Sequence, residues 1–137
     1  MGLKKYKPRT STQRFKQSVT TDHLSKDKPL KGLTTNLKTS SGRNNQGQIT
    51  VRHKGGRIKR SYRKIDFHGS VQNVSGTIKT IEYDPNRSAN ISLVFFANGV
   101  KSYILTPKGS KVNDPIKFGD ESPIKTGNRL RLANIPT

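Results

Sequence analysis

A run of basic residues from Ser40 to Lys64 is the part of the sequence best suited to chemistry, and that chemistry is anion binding. The run has no acidic residue, and its cations alternate with glycines, amides and hydroxyls. An arginine grips a phosphate or a guanine edge with parallel N–H donors, and a lysine supplies a point charge. The larger apolar side chains of the run are too few to bury its charge. The run therefore needs either a polyanion or water around it.

Three kinds of residue in this run are candidates for contacts with RNA. The cations suit phosphates, the amides suit base edges or the ribose hydroxyl, and the aromatic rings suit stacking on an unpaired base. The glycines have no Cβ, so their backbone N–H groups can approach an anion closely. The candidates are Arg43, Asn44, Asn45, Gly47, Arg52, His53, Lys54, Gly55, Gly56, Arg57, Lys59, Arg60, Tyr62 and Arg63.

The sequence motifs for nucleotide binding and for metal binding are incomplete in this chain. Gly42 and Gly47 have the spacing of a phosphate-binding loop, but Gln48 and Ile49 replace the residues that would reach the terminal phosphates and magnesium. The three histidines lie in dissimilar contexts, and the chain has no cysteine. We therefore expect no metal site and no cofactor.

Carboxylates are rare, and three of them lie near the start of the strand-rich part of the chain: Asp66, Glu82 and Asp84. We expect them to pair with neighbouring Arg or Lys side chains rather than to act in acid–base catalysis. A nuclease that uses Asp66, Glu82 or Asp84 is the alternative. The favoured interpretation is that the protein is not an enzyme and has no catalytic residue.

Charge divides unequally along the 137 residues, whose formal net charge is +19. Residues 1–64 carry 18 cations and 2 acids, whereas residues 65–137 carry 9 cations and 6 acids. The first part is expected to stay extended until it binds a partner, and the second part to bury a small core. So large a positive charge makes nucleic acid the leading partner, with RNA favoured over DNA. The sequence contains no apolar run of about 18 residues, so no membrane span is expected.

Short stretches of alternating apolar and polar residues begin at Ile49 and predict β-strands. The clearest signal is Asn98-Gly99, which supplies the positive φ of a tight hairpin between two apolar stretches. Five or six short strands without a helix indicate a mainly β fold, either a small closed or partly closed barrel or an open meander. The candidate strands are Ile49–Val51, Arg63–Phe67, Thr77–Tyr83, Ile91–Phe96 and Val100–Leu105, with weaker ones at 116–118 and 130–132.

Several of these motifs together resemble the universal L2 family of large-subunit ribosomal proteins, in its bacterial and organellar form. The resemblance is carried, in the family's order, by residues 42–56, 62–67, 82–91 and 103–109, with residues 3–8 and 134–136 also fitting. It implies a five-stranded oligonucleotide-binding barrel in residues 61–137, preceded by an extended basic tail and loop in residues 1–60. It also implies RNA contacts by Asn86, Arg87, Ser88, Asn90 and Lys108, among which Arg87 matches a family rRNA-contacting position.

The function implied by the resemblance is structural. The family binds large-subunit rRNA, lies among other large-subunit proteins, and supports subunit assembly, subunit association and translation. The basic loop departs from the family pattern, because Gly55-Gly56-Arg57-Ile58 stands where three glycines and a histidine are common. Contacts of that third glycine or histidine are therefore not carried over. A free single-stranded nucleic-acid-binding barrel is the alternative function.

The family continues beyond this region into a second β-barrel and a basic extension. We expect a separate polypeptide to carry that half, as gene splitting in an organelle would produce. A mitochondrial ribosome is accordingly the first expectation for location, with a plastid or bacterial ribosome as the alternative. The acid-poor start of the chain also has the composition of a mitochondrial transit peptide, which leaves its cleavage as an open alternative.

Overall fold

Eight short strands and three single-turn 3₁₀ helices form the regular structure of residues 2–135, the part of the chain that the computed structural model describes. The strands are β1 (Leu3–Lys5), β2 (Gln17–Val19), β3 (Thr34–Asn36), β4 (Ser61–Arg63), β5 (Ser75–Glu82), β6 (Ile91–Phe96), β7 (Lys101–Leu105) and β8 (Pro115–Lys117). The 3₁₀ helices are Ser11–Gln13, Lys31–Leu33 and Leu132–Asn134. No helix in this described part is both long and apolar enough to cross a membrane.

The central sheet is four-stranded and antiparallel, in the order β7-β6-β5-β8. Gly99, at φ +82°, turns the chain between β6 and β7, and its N–H donates to the carbonyl of Phe96 at 2.9 Å. This confirms the hairpin that Asn98-Gly99 predicts. The register between β5 and β6 shifts between Ile78 and Thr80, which marks a β-bulge.

Both faces of the central sheet are covered by apolar side chains. On one face, Ile78, Val94 and Phe118 are fully buried, and the rings of Phe96 and Phe118 meet edge to face at 5.8 Å. On the other face, Ile91, Leu93 and Tyr103 form a second cluster. Each such apolar side chain contributes about 2 kcal/mol by leaving water, so these two clusters are the main source of stability.

Residues 24–36 of the N-terminal part contact the central sheet. Leu24 belongs to the first core cluster, and the N–H of Ser25 donates to the carbonyl of Ile81 at 2.8 Å. Strand β3 pairs with β4, and β1 pairs with β2 in a separate two-stranded sheet. The division of the chain at residues 60 and 61 stays a prediction, and these contacts run across it.

The mainly β class is confirmed, while closure of the strands into a five-stranded barrel stays a prediction. The strand predicted at 63–67 is correct only at Arg63, where β4 ends, and Ile65 forms only an isolated bridge to Tyr103. Two other strand predictions are wrong. Ile49 forms only an isolated bridge to Arg43, and residues 51–53 turn instead of extending. The weak candidate at 130–132 leads into the 3₁₀ helix Leu132–Asn134. The motif at 134–136 ends in Pro136, which lies outside the described residues.

Candidate nucleic-acid interface

The first half of the basic loop, which we define as Ser40–Lys64, is a tight turn organised by Gly42. The carbonyl of Gly42 accepts the N–H groups of Thr50 at 2.9 Å and Val51 at 3.0 Å. Gly42 is buried at φ +75°, and a Cβ there would collide with the carbonyl oxygen of Val51. Only glycine satisfies both conditions, because L residues with a side chain rarely adopt this φ.

Asn44 closes the inner part of the same turn. Its Oδ1 accepts the N–H groups of Gln46 at 3.0 Å and Gln48 at 2.9 Å, and its own N–H donates to the carbonyl of Gln48 at 2.9 Å. This side-chain arrangement is an Asx turn, which replaces backbone pairing within a loop. The oxygen that was predicted to read RNA is thus engaged in shaping the loop, and the amide NH₂ is the part available to a ligand.

The cations of the basic loop point into solvent, with the exception of Arg63. None of the exposed ones forms an ion pair with another residue between 2 and 135. A shallow concavity collects Arg43, His53, Lys54, Gly55 and Gly56 on one side of the loop. The remaining exposed candidates are Asn45, Gly47, Arg52, Arg57, Lys59 and Arg60.

A second cluster forms around Asp84, whose carboxylate is fully buried. The Nε of Arg87 donates to Asp84 Oδ2 at 2.6 Å, and Nη1 of Arg63 lies 3.8 Å from Oδ1. The N–H and Nδ2 of Asn86 donate to the same Oδ1 at 3.0 and 3.1 Å. The guanidinium of Arg87 also lies 5.7 Å from the centre of the Tyr62 ring. The structure therefore brings together four predicted contact residues that the sequence separates into two groups.

The surroundings of Arg87 in this cluster stabilise its positively charged form. Partial burial opposes its positive charge, but the hydrogen bonds and charge interactions with Asp84 and Tyr62 together outweigh burial and raise the pKa of Arg87 above its ordinary value. One edge of the guanidinium is held by the carboxylate, which fixes the direction of its other N–H donors. A guanidinium fork fixed in this way is chemically suited to a phosphate.

Two hydrogen bonds join the end of the basic loop to the turn that carries Arg87. Nη1 of Arg60 donates to the carbonyl of Pro85 at 2.9 Å, and Nδ2 of Asn86 donates to the carbonyl of Ser61 at 3.0 Å. The two groups of candidate residues thus form one continuous surface. This junction could not be predicted from the sequence. Both acceptors are backbone carbonyls, which every residue has.

The three carboxylates near the start of the strand region all have structural roles. The predicted pairing with a cation is correct for Asp84 and wrong for the other two. Glu82 accepts the hydroxyls of Tyr103 and Thr80, and Asp66 accepts N–H and hydroxyl donors from residues 68–70. Within residues 2–135, no group of three or more His, Cys, Asp or Glu residues is arranged to hold a metal ion.

Three further candidates lie together beside an apolar groove. Ser88, Asn90 and Lys108 line it, and so does Tyr83, whose side chain is 57% exposed. Tyr83 is not among the predicted site residues. The alternation of apolar and polar residues puts Tyr83 at the end of a strand but does not show which residues lie around it. An exposed aromatic next to three candidate RNA contacts is the only signal that could have identified it.

A comparison with known protein families gives one match to this chain. The family model described as "Ribosomal Proteins L2, RNA binding N-terminal domain" matches residues 30–117. The matched region is more than half of the chain. It includes the basic loop, the Asp84–Arg87 turn and the whole central sheet.

Proposed function

Because the chain belongs to the ribosomal protein L2 family through its RNA-binding N-terminal domain, we propose that it is a structural constituent of the large ribosomal subunit that binds large-subunit rRNA. Membership of this family gives a ribosomal, RNA-binding and structural role. The contact residues, the assembly role and the organelle are the parts that we propose.

The observation that carries the proposal is the acid-free basic loop. Its cations other than Arg63 are exposed, and its end is hydrogen-bonded to the turn of Arg87. Exposed cations that lack acidic partners keep their full charge for phosphates. Releasing counterions from RNA then supplies much of the binding free energy. The internal hydrogen bonds of Gly42 and Asn44 hold residues 42–51 of the loop in one shape, which lowers the entropy that this part loses on binding.

We infer that the two parts of the surface have different tasks. The flexible cations of the loop neutralise phosphates along the RNA and give affinity with little dependence on sequence. Arg87 is fixed by Asp84 and Tyr62, so it can select an RNA backbone of one geometry. Large-subunit rRNA offers such folded backbone segments, and the protein would support subunit assembly, subunit association and translation by holding them.

The experiment that tests this function is sedimentation of large subunits through a high-salt cushion, followed by detection of the protein. A structural constituent stays with the subunit. A free single-stranded nucleic-acid binder is the alternative, and with about six to ten phosphate contacts it would lose roughly a thousandfold or more in affinity. Complete release into the supernatant would favour that alternative.

We propose a mitochondrial ribosome as the location, with a plastid or bacterial ribosome as the alternative. Mass spectrometry of purified ribosomes tests this proposal. Peptides of this chain in mitochondrial large subunits support the location. Their presence only in plastid or bacterial large subunits would favour the alternative.

A further inference from the structure

A groove of about 610 Å³ lies between the N-terminal part of the chain and the loop that follows β7. Leu24 and Ile81 form its apolar floor, and both are more than nine-tenths buried. Val19 and Tyr83 line it as well, and each exposes about half of its surface. The volume is within the range of sites that enclose a small molecule or one unit of a polymer.

The two sides of the groove are held in place by backbone hydrogen bonds. On one side, the Ser25 N–H donates to the Ile81 carbonyl at 2.8 Å and so fixes Leu24 against β5. On the other side, the Thr106 N–H donates to the Asn90 carbonyl at 3.1 Å. The groove is therefore part of the fold and not a gap between loosely placed segments.

Two polar side chains that line the groove, Asn90 and Lys108, are available to a ligand. The side-chain amide of Asn90 has no hydrogen-bond partner among residues 2–135, so both its donor and its acceptor are available. The ammonium of Lys108 is exposed and forms no ion pair within the same residues. No Asp or Glu lines the groove.

Resting on the RNA-binding function proposed above, we propose that this groove receives one unpaired RNA base. Tyr83 is the stacking surface, Asn90 pairs with the edge of the base, and Lys108 binds the adjoining phosphate. A nucleotide is the one common ligand that presents a flat apolar face, a hydrogen-bonding edge and a negative charge together. Base–aromatic stacking is the usual way in which proteins hold unpaired bases.

Charge decides between RNA and an apolar segment of another protein as the occupant. The chain carries a net charge of +19, and the groove itself adds a cation and no acid. An apolar peptide would fill the floor and could pair with Asn90 through its backbone, but it would bring no negative charge to Lys108. A nucleotide satisfies both.

The test is binding of the full chain to a single-stranded RNA tetranucleotide and to an abasic tetranucleotide with the same number of phosphates. Binding is followed by NMR shifts of backbone amides and by affinity titration. We expect the base-containing RNA to bind more tightly and to shift the amides around the groove. Tyr83→Ala should weaken its binding roughly tenfold or more while leaving the abasic affinity unchanged, and Tyr83→Phe should restore it.

Phe67→Ala is the matched control, because Phe67 is 56% exposed and lies outside the groove. It should leave both affinities unchanged. The proposal is overturned if the abasic RNA binds as tightly as the base-containing RNA, or if Tyr83→Ala and Phe67→Ala have equal effects. It is also overturned if only an apolar peptide shifts the groove amides.

An rRNA fragment separates failure of the groove from failure of the proposed function. If the parent chain binds the fragment with strong salt dependence but shows no base effect at Tyr83, only the groove proposal falls. If the parent chain binds neither the fragment nor the tetranucleotides, the RNA-binding function and the groove proposal fall together.

Discussion

Arg87 belongs both to a buried ion pair and to the proposed RNA-binding surface. Its partner Asp84 is fully buried, and the Asp84 carboxylate is compensated by Arg87 at 2.6 Å, by the more distant Arg63 and by Asn86. A buried carboxylate that loses its main partner is costly, because its hydration cannot be recovered. The proposed RNA contact is therefore also needed for stability.

We predict that Arg87→Ala lowers the free energy of unfolding by about 2 kcal/mol and weakens binding to an rRNA fragment. Urea denaturation measures the first effect and titration of the folded variant the second. Arg131→Ala is the control, since Arg131 and Asp120 form an exposed pair at 3.4 Å, and it should cost less than about 0.5 kcal/mol. Equal costs for the two variants, or an unchanged RNA affinity for Arg87→Ala, would contradict the assignment.

Asp66 gives a prediction about pH. Burial opposes its ionisation, but the side-chain and backbone donors of Ser70 and the N–H groups of Gly69 and His68 outweigh burial and lower the pKa of Asp66. A carboxyl whose folded pKa is lowered contributes stability above its ordinary pKa of about 4, and that contribution is lost as pH falls through the folded value.

Asp66→Asn should therefore be less stable than the parent chain at pH 7, and the difference should shrink progressively below about pH 4. Denaturation curves at several pH values measure it. Asp120→Asn, in an exposed pair, should change stability little at either end of the range. A deficit for Asp66→Asn that does not vary with pH would show that the charge is not the cause.

At the scale of elements, the shape of the basic loop depends more on Gly42 than on Gly47. Gly42 and Gly47 both have positive φ, but a Cβ on Gly42 collides with backbone whereas a Cβ on Gly47 meets no atom within 4 Å. The two positions therefore separate the cost of backbone conformation from the cost of steric overlap.

We predict that Gly47→Ala costs about 1 kcal/mol of loop stability through its φ alone, and that Gly42→Ala opens the turn. Loss of the Thr50 and Val51 amide protection in hydrogen exchange is the direct measurement for Gly42→Ala, together with weaker rRNA binding. Similar exchange in the two variants would contradict the role given to Gly42. Loss of protection in Gly42→Ala without loss of affinity would mean that the turn is not needed for binding.

The elements also show which parts of the fold could be predicted from sequence. The β6–β7 hairpin could, because Asn98-Gly99 and the flanking apolar stretches are local signals. The absence of a strand at Ile49–Val51 could not be predicted, because these residues do alternate in the sequence. In the structure, positive φ at Ser41, Gly42 and His53 turns the chain on both sides of them. Leu24 offered no periodicity, so its place in the core follows only from tertiary packing.

The candidate site also has some features that can be predicted from the sequence and others that cannot. The sequence identified the cations and Arg87, since charge and motif are readable without coordinates. It could not show that Asn44 uses its side-chain oxygen inside the loop, or that Arg60 and Asn86 join the two groups through backbone carbonyls. Those contacts depend on residues distant in sequence and on acceptors that every residue possesses.

For the whole molecule, the excess of positive charge predicts strong dependence of RNA affinity on salt. Arg57 is exposed in the basic loop and has no ion pair among the described residues. We predict that Arg57→Ala makes the slope of log affinity against log salt shallower by about 1 without changing preference for RNA sequence. Filter binding over a range of salt concentrations measures the slope.

Lys125→Ala removes the same charge from an exposed position outside the basic loop and is the matched control. It should change the slope much less than Arg57→Ala. Equal slopes for the two variants would mean that net charge alone sets the salt dependence, and that the loop does not direct the contacts.

The hydroxyl of Tyr103 accepts the Leu30 N–H at 3.1 Å and donates to the carboxylate of Glu82. These partners are 73 and 21 positions away in the chain. Closing the longer loop costs more chain entropy and slows formation of the contact. During synthesis, Leu30 emerges long before Tyr103 has been added. The N-terminal segment can pair with β4 and β5 earlier, but the Leu30 contact cannot form until β7 is complete. The last step in attaching this segment to the sheet is therefore a late event in folding.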